Sequence, residues 1–237
     1  MNFNQITEEY KYKTELHAHS YPVTACGKFA SDEVENTNLS TDCSTLTLTN
    51  HLTEHHLQGR SVQSCAEFYL SDYYKACEAA KGTGLNVALG VEIRFTGTIN
   101  DYLVYGVCPD DIEKMASLVM TDISTFYKEF KNSKNVILQA HPFRKNMEPT
   151  PIGSVDGIET FNSHPAHNAS ISIACRFAKE HDFLVSGGSD YHEEGRHATC
   201  LMRTSHVLRD SYDVAEAIKS KDVVFDLSGH IVIPYLY

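Results

Sequence analysis

A closed barrel of alternating β-strands and α-helices is the fold class this sequence predicts, and three observations point to it. Short β-like runs alternate with helical stretches along the chain, as in a largely parallel sheet joined by crossover helices. Seven or eight such units suffice to close a barrel, whose site gathers at the C-terminal ends of the strands. Metal-type side chains follow strand after strand. An open doubly wound sheet is the competitor. It usually carries a Gly-rich phosphate loop after its first strand, whereas here that strand runs into His17-Ala18-His19.

In order, the predicted strands are Lys11–Leu16, Ser44–Thr49, Val87–Ile93, Tyr102–Val107, Val136–Gln139, Gly157–Phe161 and Phe183–Ser186. Val223–Leu227 adds an eighth, followed by Ile231–Tyr235. Between them, Cys65–Lys81 places Phe68, Tyr69, Ala76, Ala79 and Ala80 at helical spacing, and Gly82 and Gly84 follow as stop signals. A helix over Asp110–Phe130 opens on Pro109-Asp110-Asp111, a good N-terminal signature. Ala166–Lys179 and Tyr212–Ser220 also read as helical. The Phe, Met and Leu side chains on these helices are read as core.

Composition narrows the function classes. The 237 residues are 42% hydrophobic and 22% charged, ordinary globular values with ample chain for a core. No run of 18 apolar residues predicts a membrane span, and the first residues show no signal peptide pattern. Seven scattered cysteines without a CxxC pair point to reduced thiols and a cytoplasmic location. The net charge of −11 disfavours binding to long nucleic acid but not to a small phosphorylated substrate, because bound cations reverse the local field. Thirteen histidines against 20 Lys plus Arg is a high ratio, and histidine is the commonest metal ligand.

His17 and His19 stand at i and i+2, so on an extended strand both imidazoles face one side. Taken alone, the pair reads more readily as two solvated histidines on an edge strand than as ligands. The later strands add weight. They end in or carry Asn50-His51, Glu92, Asp101, Ala140-His141, Asn162-Ser163-His164 and Asp190-Tyr191-His192. His, Asp and Glu gathered at one rim describe a multinuclear hydrolytic metal centre.

The segments ELHAHS, TNH, GVE, AHP and GSDYH, in that order across residues 14–192, resemble the PHP (polymerase and histidinol phosphatase) superfamily. The resemblance implies one domain over 1–237 with a distorted (β/α)7 TIM-like barrel, two or three divalent metal ions (zinc, manganese or iron), and phosphoesterase activity by a metal-bridging hydroxide. It implies His17, His19 and Asp190 as ligands of a first ion, Glu92 as the bridging carboxylate, His141 on a second ion, and His51 and His192 on a third.

The sequence departs from the family pattern in three places. Asn50 stands where the motif usually has Asp, so the orientation of His51 loses a carboxylate. Asp101 replaces a family histidine and is either a ligand or a turn aspartate. In Ser20–Cys26, where the family often has Asp or His, only Cys26 can coordinate. A thiolate favours a softer metal, and a buried structural cysteine is the alternative.

Phosphate recognition needs a cation, and Arg144, three residues past His141, is the leading candidate, with Arg94, Arg196 and His197 behind it. His164 or His167 is placed to ligate metal or protonate a leaving group. His55 and His56 either line the mouth or lie in a solvated loop, and the remaining histidines are given no chemistry. The catalytic expectation thus rests on Glu92, Arg144 and His164. Two other readings remain: an amidohydrolase or deacetylase on a similar barrel, and a non-catalytic binding module. The amidohydrolase usually needs a bridging carboxylated lysine, and no lysine ends a strand here. Oligomeric state is not encoded in any pattern recognised here.

Overall fold

The computed structural model describes residues 3–33, 41–193 and 198–235. Helix α1 (Phe3–Glu9) leads into β1 (Tyr12–Ala18). Strands β2 (Cys43–Leu48) and β3 (His51–Leu52) precede helix α2 (Val62–Ala79), whose cap Ser61 accepts a hydrogen bond from the Ser64 backbone. Strands β4 (Asn86–Leu89), β5 (Val91–Arg94) and β6 (Asp101–Tyr105) follow, then helices α3 (Asp111–Leu118) and α4 (Ile123–Phe130). The chain continues through β7 (Val136–Gln139), β8 (Gly157–Asn162), α5 (Ile171–Glu180) and β9 (Leu184–Gly188). It ends in β10 (Cys200–Thr204), α6 (Ser211–Ser220), β11 (Val224–Leu227) and β12 (His230–Val232).

The strands form two six-stranded sheets, in the orders β12-β11-β10-β1-β2-β4 and β3-β5-β6-β7-β8-β9. This is a mixed α/β fold, and the described residues form no closed barrel, which corrects the sequence expectation. The physical reason lies in the connections. Residues 95–100 between β5 and β6 are too few for a crossover, so β6 returns antiparallel to β5, and β7 is antiparallel to β6. On the far side, β10 runs antiparallel to β1, and among the described residues the strand pairing between β1 and the chain leaving β9 is a single isolated bridge from Ala18 to Tyr191. None of the predicted strands covers β10.

Two predicted elements are split. The Val87–Ile93 strand breaks at Gly90, where a Cβ would lie 2.7 Å from Thr49 Cγ2. Tyr69 of α2 brings its hydroxyl to the carbonyls of Asn50 (2.7 Å) and Gly90 (3.0 Å), holding both strand breaks together. The predicted Asp110–Phe130 helix is two helices, because Asp122 turns extended and caps α4 by accepting from the Thr125 backbone (2.9 Å). The helices cover a continuous core in which Leu103, Val104, Ile137 and Leu138 of the strands and Met115 and Phe126 of α3 and α4 are fully buried. No helix among the described residues is long and apolar enough to cross a membrane.

Candidate metal centre

His17 and His19 project from the end of β1 into the interior, and both are almost fully buried. Gly188 of β9 lets that strand approach: a Cβ there would sit 2.8 Å from the His17 nitrogen. His17 Nδ1 is 2.8 Å from Glu159 Oε1 of β8, which orients the ring and turns Nε2 inward. Thr24 Oγ1 donates to Asn50 Oδ1 (2.9 Å) and accepts from the His51 backbone (2.9 Å), so its remaining lone pair suits a proton on His19 Nδ1 at 3.3 Å. His19 Nε2 is then an acceptor facing the same interior. Neither Nε2 makes a hydrogen bond, although both are buried.

Glu92 of β5 sits at the centre. Its Oε1 lies 3.1 Å from His141 Nε2 and 3.4 Å from His17 Nε2; its Oε2 lies 2.8 Å from His51 Nδ1 and 3.4 Å from His19 Nε2. Each carboxylate oxygen therefore addresses a different pair of imidazoles. Asp190, just past β9, places Oδ1 between His19 (3.4 Å), His192 (3.4 Å) and His17 (3.6 Å). Its other oxygen accepts from Arg144 and, at 3.3 Å, from Asn162.

The electrostatics follow from this packing. Burial alone would raise the carboxyl pKa values, but the imidazoles of His17 and His51 hold Glu92 well below the usual range. The neighbouring His17 and His19 imidazoles and the Arg144 guanidinium do the same for Asp190. Burial works against a charged His17, yet Glu159, Asp190 and Glu92 raise it well above an ordinary imidazole. Burial, with His192 and His51 beside it, pushes His19 well below. His51 rises to about 10 against its burial because Glu92 touches it. The Cys26 thiol, beside His51 and His192, comes down to about 6: burial opposes this, and hydrogen bonds to the two imidazoles outweigh it.

Three overlapping sets could each hold a cation, with ligand atoms within 4.8 Å of one another: His17, His19 and Asp190; His17, Glu92 and His141; and His19, His51 and His192. Their donor chemistry, imidazole with carboxylate, suits zinc, manganese or iron. The buried Nε2 atoms of His17 and His19 and the Glu92 Oε2, none of which makes a hydrogen bond, fit such ions as well.

Other predicted residues occupy the same cavity, of about 600 Å³, with different partners. Asp101 is the direct register partner of Arg94 and is gripped by it through two bonds of 2.7 and 2.6 Å. Asp101 belongs to none of the three sets. Arg144 bonds Asn162 Oδ1 (2.7 Å) and Asp190, while its Nε is buried without a partner. His164 lines the cavity, and its Nδ1 accepts from the Ala166 backbone (3.2 Å). Burial, with Arg144 and His167 beside it, pushes His164 down to about 4, so it is neutral at pH 7. His167 also lines the cavity, whereas His55 and His56 line a neighbouring one. Arg196 and His197 lie outside the described residues.

Asn50 does not orient the His51 ring. Its amide accepts from the Ser20 backbone (2.7 Å) and Thr24, and donates to Ser20 Oγ (2.9 Å), pinning the turn after β1. Sequence reasoning missed three supports. Glu159 orients His17 and accepts from the His141 backbone (3.0 Å). Asn162 bridges Glu159, Asp190 and Arg144. Glu15 accepts from the backbones of His17 and Ser189 (3.0 Å each), joining the two segments that carry first-ion candidates. The one available signal was polar residues inside otherwise apolar strands, which cost stability unless they are paired.

No protein-family model and no curated protein matches the chain. Solved structures do. A two-domain protein from Bacteroides vulgatus, containing a predicted PHP-like metal-dependent phosphoesterase, aligns over 90% of this chain with a TM-score of 0.66 and 17% identity. The chain spans 64% of the length of that protein. An amidohydrolase from Chromobacterium violaceum with bound sulfate aligns over 93% of this chain and 98% of its own, with a TM-score of 0.58 and 15% identity. A proposed metal-dependent phosphoesterase from Bifidobacterium adolescentis aligns over 86% and 94%, with a TM-score of 0.52 and 14% identity. At these identities the likeness establishes the fold. The chain shares its fold with these proteins, one described as containing a predicted PHP-like metal-dependent phosphoesterase and one as an amidohydrolase.

Proposed function

We propose that the protein is a metal-dependent hydrolase acting on a small phosphate ester, either a phosphomonoester or a short nucleotide-like phosphodiester. The observation that carries this reading is Glu92, whose two oxygens each face a separate pair of imidazoles at the centre of three cation sets. Divalent ions bound there would lower the pKa of a bound water towards neutrality and draw charge from phosphoryl oxygens.

The chain's own residues do the rest. His17, His19, His141 and Asp190 hold the inner positions, and Glu159 keeps His17 in the tautomer that leaves Nε2 free. Arg144 steadies Asp190 and keeps a buried Nε for a substrate oxygen. His164, neutral with its Nδ1 already accepting, offers Nε2–H as a hydrogen-bond donor at the cavity wall, rather than a charged acid. Exposed Lys145, with no hydrogen bond or ion pair among the described residues, supplies positive charge at the rim.

Amide hydrolysis is the second reading, prompted by the Chromobacterium likeness. The central position here is a glutamate, and the cavity-lining lysines, Lys28 and Lys145, are exposed. That favours the phosphate ester. The test is turnover of a panel of phosphate esters and amides by protein loaded with Mn²⁺, Zn²⁺ or Fe²⁺. Phosphate release that stops on chelation is expected. Amide turnover without phosphate release, or no turnover with any ion, would overturn the reading.

A further inference from the structure

The metal cavity does not end at the cation sets. Past His51 it continues into a side cleft of about 520 Å³ that reaches Phe68 of α2, and His51 and Arg94 line both spaces. Among the described residues, two arginines and no carboxylate line this cleft. The chain carries a net charge of −11, and its metal cavity is lined by the carboxylates of Glu92, Asp101, Asp190 and Glu193. A second groove meets the metal cavity at His164 and His167 and has no lysine, arginine or carboxylate along it. Of the two extensions, the one at His51 carries the fixed positive charge.

Both arginines are held before any ligand arrives. Arg94 stands two residues beyond Glu92 on β5, so its side chain leaves the strand on the same face. Across the ladder, Asp101 accepts from Nε (2.7 Å) and Nη2 (2.6 Å), which fixes the plane of the guanidinium. Among the described residues Nη1 makes no hydrogen bond and remains for a ligand. Arg60 stands in the turn before α2. Its guanidinium lies over the Phe68 ring, 4.3 Å from the centroid, and its Nη1 donates to the His56 carbonyl at 3.4 Å. It makes no ion pair among the described residues. Arg94, whose charge Asp101 offsets, therefore offers a directed hydrogen bond, and Arg60 offers net charge. Side chains ordered in advance lose less entropy on binding.

We propose that this cleft is a subsite for a second anionic group, a carboxylate or a phosphate, that the substrate carries beyond its scissile phosphate. Arg94 and Arg60 grip that group, and Asp101 is the positioning residue for Arg94. The inference rests on the phosphate-ester reading above and narrows it. An ester whose remainder is uncharged leaves both arginines unmatched, whereas a doubly anionic one places its first charge at the metal centre and its second in the cleft.

The test uses the full chain loaded with Mn²⁺, Zn²⁺ or Fe²⁺ and alkyl phosphates of graded length that end in a methyl group, a carboxylate or a second phosphate. At the best length, kcat/KM should be about tenfold or more higher for an anionic end than for methyl, chiefly through KM. The better of the two anionic ends identifies the group. Arg94→Gln and Arg60→Gln should each erase most of that ratio, which a general loss of activity would not change. Asp101→Asn should lower it less, because the guanidinium is present but unclamped. Calorimetry of the wild type with the matching alkylphosphonates, which needs neither turnover nor a variant, should show the same preference. Equal kcat/KM and equal affinity for methyl and anionic ends, or a ratio that survives both arginine variants, would overturn the subsite and leave the phosphate-ester reading standing. No phosphate release from any ester would overturn both.

Discussion

The inner and outer halves of the cluster are built differently. On the inner side, His17, Glu92, His141 and Asp190 are all nearly fully buried, and each has a partner that fixes it. Glu159 takes both the His17 ring and the His141 backbone, and Asn162 ties Glu159 to Asp190. On the outer side, the side chains of His51 and His192 are 21% and 17% exposed, and Cys26 is exposed. Among the described residues, no hydrogen bond to a supporting carboxylate is seen behind them as Glu159 stands behind His17; a loop hydroxyl and backbone bonds carry the support. The inner half is preorganised by strands, the outer by a turn. Preorganisation sets affinity, so the inner ions should be tightly held and the outer one exchangeable.

The comparison can be broken from the inside first. Glu92→Gln or Asp190→Asn removes a negative charge from one of the proposed cation sets. Activity should fall on the order of 10³-fold or more, since the charge stabilisation supplied by bound ions amounts to several kcal/mol. Steady-state phosphate release checks this, and a loss under tenfold would refute the central role of Glu92. A smaller effect is expected at Glu159→Gln. The amide still occupies the site but holds His17 less firmly, so inner-ion affinity should weaken ~10- to 100-fold. Competition with a metallochromic chelator measures that, and unchanged affinity would mean that Glu159 only fills space. The smallest effect belongs to Lys145→Ala at the rim. KM should rise a few-fold with kcat nearly constant, the pattern of a group that binds ground state and transition state alike. A fall in kcat instead would place Lys145 nearer the chemistry.

The inner half was also the more legible in the sequence, for a physical reason. Strand periodicity puts i and i+2 on one face, so His17 and His19 declare themselves, and His141 and Asp190 stand at strand ends. Glu159 lies in the middle of a strand, where its direction depends on a register that only the folded sheets define. Arg94 and Asp101 are separated by a turn in sequence but are cross-strand partners in space, so the ion pair that occupies Asp101 was not visible. Asn50 was legible as a departure from the motif, but its real work, holding Ser20 and Thr24, is a contact across 26 to 30 residues. Strand types and many boundaries followed from local pattern. The closed barrel did not survive, because pairing direction is decided by connections such as residues 95–100 and by β10, whose five residues announce no partner.

The central claim is that one rim holds a multinuclear metal centre. Anomalous diffraction from crystals of the Mn²⁺- or Zn²⁺-loaded protein tests it most directly. The account predicts at least two peaks: one within about 2.0–2.3 Å of His17 Nε2, His19 Nε2 and Asp190, and one at the same range from Glu92 and His141, the outer peak near His51 and His192 being weaker. Crystals of loaded protein with no anomalous peak in reach of Glu92, or with ions only at sites elsewhere on the surface, would contradict it.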